Sequence, residues 1–578
     1  MKRMSLIVVL LLWTASQLWA GPRYVVLDPG LSAETQIQAA NCTYEIRDDF
    51  KLSGKTLTLP DNCTLVFRGG SLQDCSVVFR NTYLDGNVRI SLGKDCCAKG
   101  RLQNETVYTS WFKAELVQLL NSLIPDNQHK TFIVANGTYT ICEPLIVRNI
   151  SGLILDFNGS VLCDQTQGEN ATLHRPNPMI WIRASSNVTI RNFDYRVSAK
   201  RYFSKTETGV IFIGACSQDW DNDTFNITIS GINGKGSLIR RVRDGLSANA
   251  FICGLGNINN IELHNIQYEG DLSSLCNFEY GLSPGTSASY VRRYGIKLPD
   301  YYGLHPYNLR ISNITGRNAP SCQGFVRLSS CYNAIVENCY GYNVNSLIYL
   351  YSGDMSINRV NGSAIVRNCA SYVNKEYRGT ELSGLLIFNV YYDPASLTKH
   401  SGDIEHNLSY QIENCEFQGL DGISGCGLRV SGGDGNIVFN NVTIKNYSLA
   451  AKLSGTKIKS KVGGLVFNNC LFENNSSSVE IYGVDNCVFN ACIFRNKSKH
   501  LNNRIADNQI AVYSGVQGFT LRDCIFEEKN KDNRASFVCF EQKKKVDAVI
   551  DNCRFIGSKV IAPVIVPESV SLSNCIIE

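Results

Sequence analysis

Five residues of the chain occupy one kind of position and could hold an anion among them. In GIKL, VRL, IYL, LRV and AKL the apolar neighbours flank a single central residue. Lys297, Arg327, Tyr349, Arg429 and Lys452 therefore point away from the side on which those neighbours are buried. Four cations and an aromatic ring in one column repel one another unless a negative group lies between them, which suits a uronate or a sulfated sugar. Glu480 of VEI continues the column. A second series, Asp300, Asp354, Asp393, Asp434 and Asp485, closes the same segments. Asp is at home in turns because its side chain caps its own backbone. Carboxylates beside a basic column nevertheless also supply acid and base, and Asp354, Asp393 and Asp434, in the middle of the series, are the catalytic candidates. In a hydrolase two of them act as acid and base. In a lyase, a basic residue crowded by like charges loses its proton more readily and takes the proton beside the sugar carboxylate.

Such a column exists only if short strands return to the same place, and the sequence shows that return. LVFNNCLF at Leu465 is nearly copied by VFNACIF at Val488, TLRDCIF at Thr520, VIDNCRF at Val549 and SLSNCII at Ser571. The motif cysteines are Cys339, Cys369, Cys415, Cys470, Cys492, Cys524, Cys553 and Cys575, with Val442 filling one vacant place; the steps run from 22 to 46 residues. Self-similarity of this kind marks a solenoid. Each unit joins a short strand such as GFVRL, SLIYLY, CGLRV or SVEIY to a second strand carrying the motif. Both alternate with period two and end at Gly, Asn, Asp or Ser. Helical periodicity is nearly absent after residue 130, so parallel strands without intervening helices predict a β-helix. The cysteines then stack as small buried side chains in a narrow corner. Side chains stacked in register point the same way, whereas a disulfide needs a dihedral near 90°, so these thiols are expected to stay reduced. No CxxC pair occurs, and no metal site is expected. Cys96 and Cys97 fall outside the repeat. The many N-x-S/T triplets reflect Asn in turns and Thr in strands.

The bulk composition excludes little but is consistent. A net charge of +5 over 578 residues makes no case for nucleic acid as a partner. MKRMSLIVVLLLWTASQLWA has a basic start, an apolar run and a small residue at Ala20, the pattern of a secretory signal cut after that residue. No later apolar run approaches the ~20 residues that span a bilayer. A secreted or periplasmic monomer with no membrane span is expected.

Together these features resemble the pectin-lyase-like superfamily of right-handed parallel β-helix proteins, the secreted bacterial members in particular. FIVANGTYTICEPLIV at Phe132 looks like the first buried strand of such proteins with its G-x-Y. WFKAELVQLLNSLIPD has helical apolar spacing and stops at Pro125, like the helix that closes the coil in that family. KTLTLPDNCTLVFRGGSLQDCSVVFRNTYLDG resembles their small N-terminal β-rich module. The resemblance implies an all-β fold: a signal at 1–20, a β-rich module at 21–105, and a β-helix at 106–578 with a capping helix near 112–124. It also implies that the column above lies on the sugar-binding face. Polygalacturonase signatures (N-T-D, G-H-G, R-I-K) and pectate-lyase signatures (R-x-P-x-x-R) are missing. The implied function is a polysaccharide lyase or glycoside hydrolase acting on an acidic polysaccharide, without a cofactor unless calcium sits among the carboxylates. The alternative is a non-catalytic glycan-binding or adhesin-like β-helix.

Overall fold

The computed structural model describes residues 23–166, 178–198, 209–214, 224–242, 245–248, 250–256, 258–279, 306–352, 359–389, 405–431, 436–454, 464–477, 479–495, 508–513, 515–528, 536–541, 546–557, 564–565 and 570–578. The expected signal segment lies outside them. The chain divides into two compact units, the first reaching to Tyr139 with Leu145–Ser160 and Asn187–Asn192, the second holding the rest.

In the first unit the N-terminal strands already pair in parallel. Arg23–Val26 lies beside Cys42–Ile46, then Thr64–Phe67, then the long strand Ser71–Gly86. The helix expected near 112–124 is Leu116–Leu123. Glu115 caps it by accepting from the Gln118 amide at 2.7 Å, and a 3-10 turn through Pro125 ends it. Its buried side, formed by Leu116, Val117, Leu119, Leu120 and Leu123, packs on strands Ala98–Leu102 and Leu145–Arg148.

The second unit is a right-handed parallel β-helix. One wall is a parallel sheet running from Ile180–Arg183 through Val326–Ser329, Ile348–Ser352, Glu381–Asn389, Ser424–Ser431, Leu449–Ser454 and Val479–Tyr482 to Val564–Ile565. The second wall begins with long strands, Thr224–Lys235, Ile258–Glu269, Tyr307–Ala319 and Ala334–Val344, and from residue 359 splits each coil into two shorter strands. Inward side chains form continuous columns, for example Val326, Ile348, Leu385, Leu428, Ala451 and Val479, all fully buried or nearly so. Phe439, Phe467 and Phe489 stack face to face at 4.5 and 4.6 Å, and Phe472, Phe494, Phe526 and Phe555 at 4.7 to 5.0 Å. These separations are the rise of one coil, close to the usual strand spacing.

The split between the two short strands explains the repeated motif. The residue before the motif cysteine, or before Val442, is Asn338, Asn368, Asn414, Asn441, Asn469, Ala491, Asp523, Asn552 or Asn574. All nine have φ between 50° and 55°. Asn and Asp tolerate this left-handed conformation far better than most residues, and here it turns the chain through the corner. The next side chain then drops inside. Each of the eight motif thiols donates to the carbonyl two residues earlier, at 3.2 to 3.5 Å. Cysteine thus supplies a small apolar body and a weak donor at once. All the described cysteines are free, Cys96 and Cys97 included. Several sequons begin at Asn residues in the same left-handed conformation, among them Asn187, Asn226 and Asn313.

Candidate functional site

On the first wall of the β-helix, inward Val326 and Leu328 are buried, so Arg327 between them faces outward, and the same alternation holds on each following strand. Backbone register then fixes the column. Arg327 lies opposite Tyr349, Tyr349 opposite Leu386, Leu386 opposite Arg429, Arg429 opposite Lys452, and Lys452 opposite Glu480. Of the expected binding residues, Arg327, Tyr349, Arg429 and Lys452 are brought into one line, with Leu386 interposed. Lys297 and the catalytic candidates Asp354, Asp393 and Asp434 lie outside the described residues, as does Asp300. Asp485 is described, and it bridges Gln517 just past strand Val479–Tyr482.

A second outward column, two residues further along each strand, was not anticipated from the sequence. It runs Glu279, Ser329, Tyr351, Phe388, Ser431, Ser454 and Tyr482. Aromatic rings of both columns hold the cations of the first. The Arg327 guanidinium sits 5.3 Å from the Tyr349 ring centre, Arg429 lies 5.0 Å from Phe388, and Lys452 lies 5.4 Å from Tyr482. Tyr349 meets Tyr351 and Phe388 edge to face, and Tyr482 stacks on Tyr513 at 4.1 Å. Ring quadrupoles attract these cations without neutralising them.

Within the two columns the described carboxylates stand at the ends, while Glu381 lies at the start of strand Glu381–Asn389, outside both columns. Glu279 lies 3.5 Å from the Arg327 guanidinium and accepts from the Asn277 amide at 3.1 Å. Glu480 accepts from the Tyr482 hydroxyl at 3.0 Å, and burial raises the Tyr482 pKa, with Tyr513 and this carboxylate adding to the rise. Among the described residues Arg429 and Lys452 have no ion pair. The second wall contrasts with this. There Lys235 pairs with Glu269, Arg310 and Arg367 share Glu337, Lys445 pairs with Glu416, and Arg495 with Glu527. Arg429 and Lys452 are thus two adjacent cations of the first wall that, among the described residues, form no ion pair. They are spaced by one strand, about 4.8 Å.

The accessible column is finite. Upstream of Arg327 its members Asn277, Cys253 and Phe212 are fully buried, and strands Gly209–Gly214 and Ala250–Leu255 are buried on both faces. Downstream of Glu480, Ala511 and Cys539 are buried. Among the described residues no cluster of His, Cys, Asp and Glu has the makings of a metal site, and no helix is long and apolar enough to cross a membrane.

No protein-family model matches the chain, and no curated protein matches it. Among solved structures the chain is similar to a mutant of the periplasmic alginate epimerase AlgG, at 10% identity over 73% of this chain and 79% of that one, with a TM-score of 0.36. It is also similar to the endo-xylogalacturonan hydrolase from Aspergillus tubingensis, at 10% identity over 73% and 87% with a TM-score of 0.31. A third similar structure is PfbA, a surface adhesin of Streptococcus pneumoniae, at 10% identity over 78% and 84% with a TM-score of 0.32. At that distance the site rests on this chain's own residues.

Proposed function

We propose that the outward face from Arg327 to Lys452 binds an acidic polysaccharide laid along the β-helix, and that the protein is an exported polysaccharide lyase or glycoside hydrolase. The observation that carries the binding is the juxtaposition of Arg429 and Lys452, held over Phe388 and Tyr482 and, among the described residues, in no ion pair, although Glu480 follows Lys452 in the column. Like charges one strand apart are costly to each other, and an anionic ligand removes that cost. Arg327 and Tyr349 extend the contact, and ring edges and hydroxyls line it for sugar. Lys297 is proposed as a further cation for the ligand, beside the column rather than in it. Asp354, Asp393 and Asp434 are the proposed acid and base, with calcium as an optional bridge between their carboxylates and the ligand.

A second proposal, a glycan-binding protein without turnover, is favoured by one feature. The carboxylates described in the two columns, Glu279 and Glu480, stand six strands apart along the sheet, about 29 Å, well beyond the separation of a glycosidase pair. Incubation with a panel of acidic and neutral polysaccharides, with reducing ends and unsaturated products both measured, decides between them. New reducing ends mean a hydrolase, and unsaturated products mean a lyase. Retention of acidic chains without product means a binding protein, and indifference to every acidic chain removes both proposals.

A further inference from the structure

We infer that this face measures the length of an anionic segment, with Glu480 as the residue that ends it. The inference rests on the proposed binding of an acidic polysaccharide and concerns how much of the chain is gripped. The accessible rungs are Arg327, Tyr349, Leu386, Arg429, Lys452 and Glu480, and the column is buried beyond both ends. An extended sugar chain advances by roughly one strand spacing, about 5 Å, per ring. About five consecutive anionic sugars therefore face the stretch from Arg327 to Lys452, and the next one faces a carboxylate.

The two ends are not equivalent. Glu279 leans on Arg327 at 3.5 Å, so its charge is largely answered within the protein. Among the described residues Glu480 has no ion pair: Lys452, its register neighbour, is held over the Tyr482 ring, and the Tyr482 hydroxyl is the hydrogen-bond donor to Glu480. A uronate or sulfate arriving opposite Glu480 meets a like charge that Lys452 only partly offsets, and the following rung, Ala511, offers no accessible side chain. The cations set where binding starts, and Glu480 sets where additional sugars stop contributing.

The test is affinity against chain length. Oligogalacturonates of about two to ten residues are titrated calorimetrically into the full-length protein, with cello-oligosaccharides as the neutral control. Wild-type affinity should rise with each residue to about five and then level. Glu480→Gln should let the sixth residue contribute. Glu480→Lys should raise affinity for the hexamer and longer chains by roughly two- to five-fold, the effect of one exposed charge. Glu480 is partly exposed, and matched melting curves for the Gln variant exclude a folding defect. The same plateau in all three proteins, or wild-type affinity that climbs steadily to the longest chain, overturns the inference while leaving the binding face in place. Failure of every oligogalacturonate to bind removes the binding proposal and this inference with it.

Discussion

Arg429 and Lys452 lie on adjacent parallel strands in direct register, and neither has an ion pair among the described residues. Several cations of the second wall do have a carboxylate partner, as Glu337 serves both Arg310 and Arg367. Leaving two cations side by side costs stability through mutual repulsion, and a bound anion returns it.

Removing both charges, as Arg429→Ala with Lys452→Ala, should weaken binding of acidic chains by roughly five- to thirty-fold, since two partly exposed charges are lost. Neutral chains should be unaffected. Raising salt toward 1 M, where the Debye length is about 3 Å, should erase most of the difference between variant and wild type. A titration at two ionic strengths checks this.

Asp354→Asn, Asp393→Asn and Asp434→Asn address turnover. At least one should abolish product formation while binding stays within about two-fold, the separation expected of a group that acts only in the transition state. Activity that survives EDTA would remove calcium from the mechanism; activity lost to EDTA and restored by calcium would assign it.

Burial raises the thiol pKa values of Cys276, Cys331 and Cys487, and the thiolate is the reactive form. Native protein at pH 8 should therefore react at very few sites, and denatured, unreduced protein at most of its cysteines. The same shift sets a pH dependence. The thiols stay protonated when folded and ionise when unfolded, so stability holds below about pH 8.5 and falls as the pH rises past it. Thiol counting and alkaline melting curves test the two halves.

The corner conformation makes an unusual stabilising substitution available. Ala491 has φ of 50° where most other coils place Asn. Ala491→Asn should gain about 0.5–1 kcal/mol, and Asn469→Ala, at the preceding coil, should lose about 1 kcal/mol. Phe467→Ala, which breaks the stack between Phe439 and Phe489, should cost about 3–5 kcal/mol. Denaturant unfolding ranks the three.

Hydrogen bonds from Arg367 and Arg310 hold the Glu337 carboxyl below its ordinary pKa. Its contribution to stability is therefore present above about pH 4.3, the unfolded value, and is lost as the pH falls through the lower folded value. Glu337→Gln should destabilise the protein at pH 7 and flatten the acid limb of the stability curve, measured as melting temperature against pH.

The sequence by itself determined the coil, its corners and the direction of each side chain. Alternation with period two is local: once Val326 and Leu328 are apolar, Arg327 must face the other way, and the Asn before each motif cysteine carries its own preference for the left-handed corner. The helix at Leu116–Leu123 was legible for the same reason, through apolar spacing ended by Pro125. Which residues become neighbours was not legible. The strand Glu381–Asn389 reads GLLIF on its inner stretch, without clear alternation, so nothing local announced that Leu386 separates Tyr349 from Arg429. Phe388 and Tyr482 carry no charge to single them out, yet they hold the cations. Register between coils, the answering of charges, and the burial that closes the column at Asn277 and Ala511 depend on strands far apart in sequence and joined by connections of unequal length. Only the stacked structure decided them.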